Sequence, residues 1–343
     1  MQENKFLQWM TQNTQSIYWH DSAILSEQQE AFANGATGMT TNPFLINATL
    51  SSNREVWADR LAELPKDLSG DEKVLALVHC VTGYYSDVTR PIFDHGETGK
   101  GYVCAQVNPN KTGDVSYMVE QAKKLSSWAP NIVVKLPATN AGIQAYEECA
   151  ALGINVAATV SFTVPQVLAA AEAAERGKKR AVSAGIKPGL SIAVLMEGRL
   201  DDYLRDVAHD NGAAVSEQDI VLAGLACIKR AYGIFQERGY STFLMPAGCR
   251  GPHHISELAG AKMIMSVSPK IAKALASNTV FEPRIDAPVD AAAIERLLTM
   301  AEFRKAYEPD GMKPEEFITF GSANRTTDQF INDGWNPLVN FKF

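Results

Sequence analysis

The chain has 343 residues, 46% of them hydrophobic and 21% charged, which excludes a disordered protein and is ample for a large buried core. A net charge of −7 argues against nucleic-acid binding, and the densest basic run, Arg176-Gly-Lys178-Lys179-Arg180, follows a predicted helix whose C-terminal carbonyls it would complement. Five cysteines, odd in number and without a CxxC pair, read as reduced thiols; with no signal-peptide pattern and no apolar run of membrane-spanning length, a cytoplasmic protein away from membranes is expected.

In chain order, Ser16 to Asp21 reads as a first strand, with Asp21 at its C-terminal end. Ser26-Glu-Gln-Gln29 gives a capping-box start, and Gly35 a stop, for one short helix. Ala36 to Asn42 is the second strand, closed by Pro43 at the first helical position of the next segment. Residues 51–90 are polar and helical in pattern, with Asp71 to Val81 the clearest amphipathic piece. Gly101 to Val107, Ile132 to Lys135 and Ile154 to Ser161 are the third, fourth and fifth strands; Thr163-Val-Pro-Gln166 then opens an alanine-rich helix over Val167 to Ala174. Leu190 to Met196, Thr242 to Ala247 and Lys262 to Val267 complete eight.

Eight short apolar strands, each followed by a helical pattern, predict an α/β protein built as a single (β/α)8 TIM barrel. An open doubly wound sheet is the alternative, but no Gly-rich phosphate loop follows the first strand. One domain is expected over 1–343, with the barrel at about 16–285 and a C-terminal extension from about 286. That extension reads as helix and then an irregular end bearing Phe317, Phe320, Trp335, Phe341 and Phe343. Such aromatics are expected to dock on their own barrel, with a neighbouring subunit as the alternative.

The stretch Asn131 to Gly142 carries the clearest chemical signal. Ile132, Val133 and Val134 form a β-branched run without polar alternation, as expected of a parallel strand covered on both faces. Lys135 ends the run, Pro137 stops the ladder, and Thr139 or Asn140 can cap the following helix. Strand alternation puts Lys135 on the face of Val133, so its amine points into apolar surroundings. Such an amine is pushed toward its neutral form and can attack a carbonyl to give a Schiff base. Taken alone, a lysine snorkelling out of a strand end explains it as well.

Several strand ends together resemble the transaldolase family of class I aldolases, with some features of its fructose 6-phosphate aldolase branch. The motifs are Thr40-Thr-Asn-Pro43, Lys135-Leu-Pro-Ala-Thr with Gly142-Ile143, Gly153 to Thr159, Gly198-Arg-Leu-Asp-Asp202, Ala247-Gly-Cys-Arg250 with Glu257 to Gly260, and Ser268-Pro-Lys270. They occur in the family's order over roughly residues 17–275. The resemblance implies that Lys135 forms the Schiff base with a ketose carbonyl and that Asp21 moves protons at the C4 hydroxyl. Asp21 could equally serve as a counter-ion to Lys135. It further implies substrate binding by Asn42, water positioning by Thr159, and a grip on the sugar's terminal phosphate by Arg199 and Arg250. The local sequence offers plainer readings: a helix cap for Asn42, β-propensity for Thr159, surface ion pairs for the arginines.

The chain also departs from that pattern. Gln106 stands where transaldolases carry a glutamate that activates the catalytic water; a glutamine can orient water but cannot take its proton, and the aldolase branch shares it. Val194-Leu-Met196-Glu197 precedes Gly198-Arg199 where Ser-Pro-Phe is usual, Ala157 replaces an asparagine, and Gly248 a serine. About fifteen extra residues, Glu175 to Gly189, separate the fifth helix from the sixth strand.

The resemblance implies transfer of a dihydroxyacetone unit between sugar phosphates, as in the pentose phosphate pathway, with the donor and acceptor sugars left open. The alternatives are reversible aldol cleavage releasing free dihydroxyacetone, and a non-catalytic phosphosugar-binding barrel. No cofactor or metal is called for, because the imine polarises what a metal ion would. His253-His254 is a poor chelating pair, since adjacent helical residues diverge, and His20 is expected to pack behind the barrel wall. A homo-oligomer is left open.

Overall fold

In the computed structural model, which describes residues 3–342, eight parallel strands carry the fold. They are β1 (Ile17–His20), β2 (Ala36–Met39), β3 (Val103–Gln106), β4 (Ile132–Pro137), β5 (Val156–Thr159), β6 (Ser191–Leu195), β7 (Phe243–Pro246) and β8 (Ile264–Val267). Hydrogen bonding runs in the order β7-β6-β5-β4-β3-β2-β1-β8, every pair parallel, and β7 packs beside β8 at the seam. This nearly closed ring with helices between its strands is a (β/α)8 barrel. From β3 onward every strand residue is buried, because helices cover the outer face and side chains fill the interior; hence apolar runs rather than alternation.

The lysine strand is anchored at its root. Asn131, fully buried, donates from Nδ2 to Ser86 O, Thr89 Oγ1 and Gly101 O, and its Oδ1 accepts from Ser86 Oγ at 2.8 Å. That ties the start of β4 to the long Gly70–Asp94 helix and the approach to β3. At the far end Thr139 caps the Asn140–Ala151 helix by accepting the Gly142 N–H at 3.0 Å. A Cβ on Gly142 would lie 1.8 Å from the Pro137 carbonyl oxygen, so only glycine lets the helix leave the strand at this angle.

Three local expectations need correction. The first short helix begins at Leu25, after Ile24 and with no side-chain cap, not at a Ser26 cap; Ser22 braces the approach, its Oγ accepting the Ile24 N–H at 3.2 Å and donating to Glu27. The fifth helix does not stop near Ala174 but runs Val164–Ser183, absorbing most of the extra residues. Arg176 and Arg180 therefore lie within it, where they pair with Glu147 and Glu148 of the preceding helix. Gly177, inside this helix, sits where a Cβ would come within 2.5 Å of the Glu147 carbonyl, so it permits close packing of two helices.

The C-terminal extension is mostly helical rather than irregular, and it docks on its own chain. Phe317, Phe320, Trp335 and Phe341 are buried, and Trp335 Nε1 donates to Asp71 Oδ1 at 3.2 Å; Phe343 lies outside the described residues. A π-helical turn, Phe330–Trp335, packs on the Pro43–Ser52 helix beside the strand ends. Among the described residues no helix is long and apolar enough to cross a membrane.

Candidate active site

At the C-terminal ends of the strands lies a cavity of about 180 Å3. Six of the seven sequence-predicted residues line it: Asp21, Asn42, Lys135, Thr159, Arg199 and Arg250. A larger hollow, about 360 Å3, opens on the outer side of β1 and holds none of the seven. His20 faces that outer side, buried as expected, with both ring nitrogens unpartnered; burial lowers its pKa to about 4, which keeps the ring neutral.

Lys135 is buried, and its Nζ donates to the Thr41 carbonyl at 3.2 Å. Parallel register sets Gln106 of β3 on one side of it and Ala157 of β5 on the other. Thr159 is two residues further along β5, on the same face and one layer higher. Gln106 is the predicted residue that does not reach the cavity wall; it is buried beside the lysine with Oε1 unpartnered. Directly after Thr159, Val160 adopts φ 54°, a strained conformation for a β-branched residue. Gln166 clamps it, donating from Nε2 to the carbonyls of Ala138 (3.0 Å) and Val160 (3.3 Å) and accepting the Phe162 N–H at 2.9 Å.

Asp21 follows β1, its N–H held by the Val267 carbonyl at 3.0 Å. Thr40 Oγ1 donates to Asp21 Oδ1 at 2.7 Å and lies 2.9 Å from Ser266 Oγ, so three strand ends orient one carboxylate. Asn42 has two functions available. Its Oδ1 caps the Pro43–Ser52 helix through the Leu45 N–H at 3.0 Å, and no bond commits its Nδ2, leaving two donors for a ligand.

The arginines enter from outside the strands. Arg199 lies on the Glu197–Asn211 helix and Arg250 on the loop after β7. Burial, and after it the neighbouring Arg250, lowers the Arg199 pKa from its ordinary value. Arg199 Nη2 donates to Gln329 Oε1 at 2.6 Å and Nη1 to Thr326 Oγ1 at 3.4 Å, both from the C-terminal extension, while Phe330 lines the cavity. Arg250 pairs with Asp202 (Nη2 to Oδ2, 2.7 Å) and donates to the Gly248 carbonyl at 3.1 Å. From β6 and the residue after it, Val194 and Met196 give an apolar wall, as the departures in that strand imply.

Sequence reasoning did not single out Thr40, Ser266, Gln166, Gln329 or Phe330. Thr40 stands in the Thr40-Thr-Asn-Pro43 motif and Ser266 in the expected eighth strand, but a hydroxyl near a strand end carries no signal of its own partner. Gln329 and Phe330 are placed by the docking of a distant segment.

A (β/α)8 barrel with an amine, a carboxylate and two guanidinium groups gathered at its strand-end mouth belongs to the enzymatic barrels, whose chemistry is built on that face. Comparison with known proteins narrows this. The family profile described as Transaldolase/Fructose-6-phosphate aldolase matches residues 18–317. Transaldolase from Thiobacillus denitrificans is 29% identical over 297 residues, covering 79% of this chain and 81% of that protein. Transaldolase 1 from Streptomyces avermitilis is 30% identical over 234 residues, covering 66% and 61% respectively. Transaldolase A from Pasteurella multocida is 26% identical over 224 residues, covering 63% and 64%. The chain belongs to the transaldolase/fructose-6-phosphate aldolase family and is an enzyme of its transferase and aldolase class.

Proposed function

We propose that the chain is a transaldolase-type enzyme that transfers a dihydroxyacetone unit from a ketose phosphate to an aldose through a Schiff base on Lys135. The observation that carries this reading is the setting of Lys135. Its amine is buried, bonded to a backbone carbonyl, and shares a small cavity with Asp21, Thr159 and two arginines.

In the proposed sequence Lys135 adds to the ketose carbonyl, and loss of water gives a protonated imine. Asp21 takes the proton of the C4 hydroxyl, the C3–C4 bond breaks, and its electron pair is held as an enamine conjugated with the former imine nitrogen. The aldehyde leaves, an acceptor aldehyde takes its place, and the enamine adds to it, with Asp21 returning the proton to the new hydroxyl. Thr159, and Gln106 below it, position the water lost and regained at the imine. Asn42 Nδ2 donates to sugar hydroxyls, and Arg199 with Arg250 holds the phosphate.

Gln106 supports a second reading, in which the enamine is protonated and free dihydroxyacetone is released. Its amide offers an unpartnered acceptor beside the lysine but no base. Intact mass after incubation with fructose 6-phosphate and borohydride tests the shared chemistry, with an adduct of reduced dihydroxyacetone expected on Lys135. A folded sample that traps nothing with several ketoses would defeat the reading. Steady release of dihydroxyacetone from a donor without acceptor would favour the aldolase outcome over transfer.

A further inference from the structure

Behind the two arginines lies a buried polar cluster that the proposed chemistry does not use. His254 has no solvent exposure, and its Nδ1 accepts the backbone N–H of Arg250 at 3.1 Å. With that lone pair engaged, the ring proton resides on Nε2, which lies 2.9 Å from Oδ2 of the equally buried Asp201. Asp201 Oδ1 accepts the Gly224 N–H at 2.8 Å. The approach of His254 to Asp201 is off the line of the ring N–H, so it is an electrostatic contact more than an aligned hydrogen bond.

Asp201 and Arg199 ride on the same Glu197–Asn211 helix. The path from Arg199 through that helix to Asp201, across His254 and into the Arg250 backbone therefore joins the two guanidinium groups through the protein interior. The segments also touch directly, since a Cβ on Gly198 would come within 2.5 Å of Arg250 Cγ and 2.6 Å of the Gly248 carbonyl oxygen. Asp202, the next residue, holds the Arg250 side chain from outside. That pair is 40–45% exposed, and solvent-screened pairs of this kind are weak, so an arriving anion can displace the carboxylate. The loop's fixed point is thus the buried contact rather than the visible ion pair.

Donor atoms of Asp201, His253 and His254 lie within 4.8 Å of one another, a spacing that invites a cation. The hydrogen bonds direct it otherwise. His254 could offer Nε2 to a metal only as an imidazolate, because Nδ1 is committed to an N–H donor, which leaves His253 Nδ1 and one carboxylate, too few ligands for a cation site.

We infer that His254, seated on Asp201, is a positioning residue for the anion end of the site: it fixes the Arg250 backbone and with it the separation of the two arginines that receive the phosphate. This rests on the proposed reading that Arg199 and Arg250 bind a phosphate.

The test uses the full chain and measures the KM and kcat for a ketose phosphate, the inhibition constant of inorganic phosphate, and borohydride trapping with unphosphorylated dihydroxyacetone. His254→Gln keeps a donor toward Asp201 and withdraws the acceptor from Arg250. It is expected to raise KM and the phosphate inhibition constant roughly tenfold, the scale of one lost buried hydrogen bond, with kcat and dihydroxyacetone trapping changed less than about threefold. His254→Asn, whose Oδ1 can take the Arg250 N–H, is expected to recover most of the loss. Gly198→Ala, whose methyl would crowd Arg250 Cγ and the Arg250 backbone nitrogen that His254 holds, is expected to mimic His254→Gln. Inhibition by phosphate that is equal in wild type and both His254 variants would overturn the positioning assignment, as would a loss of phosphate affinity and trapping in equal measure. Failure of phosphate to inhibit the wild type would instead overturn the phosphate reading, and this inference with it.

Discussion

The two ends of the cavity are built on different principles. At the carbonyl end, Lys135 and Thr159 are strand residues, Asp21 comes one position after a strand, and their support comes from nearby strand ends of the barrel mouth: Thr40 and Ser266 for Asp21, Thr41 O, two strands away, for Lys135. At the anion end, Arg199 comes from a helix and Arg250 from a loop, and their partners lie on the C-terminal extension, on the Arg199 helix itself (Asp202) and on a buried histidine. In this nearly closed barrel β1, β4 and β5 are each paired on both sides and cannot shift without breaking two ladders, which suits the proposed imine chemistry, since that tolerates little misplacement. The helix and loops can be remodelled without disturbing the barrel, which suits groups that choose among substrates.

The largest effect is expected from Lys135→Met, which fills the same buried space without an amine. Turnover should fall by at least about 10³-fold and trapping with borohydride should vanish, while the thermal midpoint changes little. Retained trapping on another lysine would remove Lys135 from the mechanism. Asp21→Asn comes next, with kcat lower by about 10²- to 10³-fold. Because Asn can still accept from Thr40, its imine should still form from dihydroxyacetone and be trapped. If trapping is lost as well, Asp21 acts on the amine rather than on the C4 hydroxyl.

The same contrast explains what the sequence made legible. All eight strands could be read because burial on both faces demands runs such as Ile132-Val-Val-Lys135, and a lysine ending such a run stands out. The read boundaries ran long where the chain leaves the ladder to serve the site. β2 ends at Met39, and Thr40 to Asn42 bond instead to Asp21, Lys135, Cys104 O and a helix end. The anion end was half legible. Its arginines stand in motifs, but Gln329 lies 130 residues beyond the arginine it meets, and no local pattern encodes that docking. His254 was judged by its neighbour His253 as a poor chelating pair, while its actual partners, Asp201 and the Arg250 backbone, are fixed only by tertiary packing.

β1 offers a control on the strand side, because Asp21 and His20 leave it on opposite faces. His20 has a folded pKa near 4 against an ordinary 6.5, so the unfolded chain takes up its proton first as pH falls. The stability tied to its neutral form is complete above about pH 6.5 and is lost as pH drops through 4. Replacing it as His20→Phe should flatten that segment of the pH–stability curve, with a difference from wild type of about 3 kcal/mol accumulated between pH 7 and pH 4. Chemical denaturation at several pH values reads this directly. Parallel curves for the two proteins would mean that the outer wall of β1 relaxes to let water reach the imidazole.

The smallest effect should come from Gln329→Ala, and its sign is the informative part. Gln329 engages one Nη2 hydrogen of Arg199, and Thr326 one Nη1 hydrogen, leaving the other guanidinium hydrogens for an anion. If the extension acts as a brace, removing Gln329 frees a mostly buried guanidinium to wander, and KM for the phosphorylated donor should rise about three- to fivefold, the value of one net hydrogen bond. Competition between Gln329 and phosphate for the same donor would instead make KM fall. We expect the rise, because the bond is short and Phe330, the next residue, is packed into the cavity wall, so the segment is held in place independently of Arg199. A fall in KM would make the extension a gate on the anion end, so that the adjustable part of the site would reach beyond the helix and loop into the C-terminal segment.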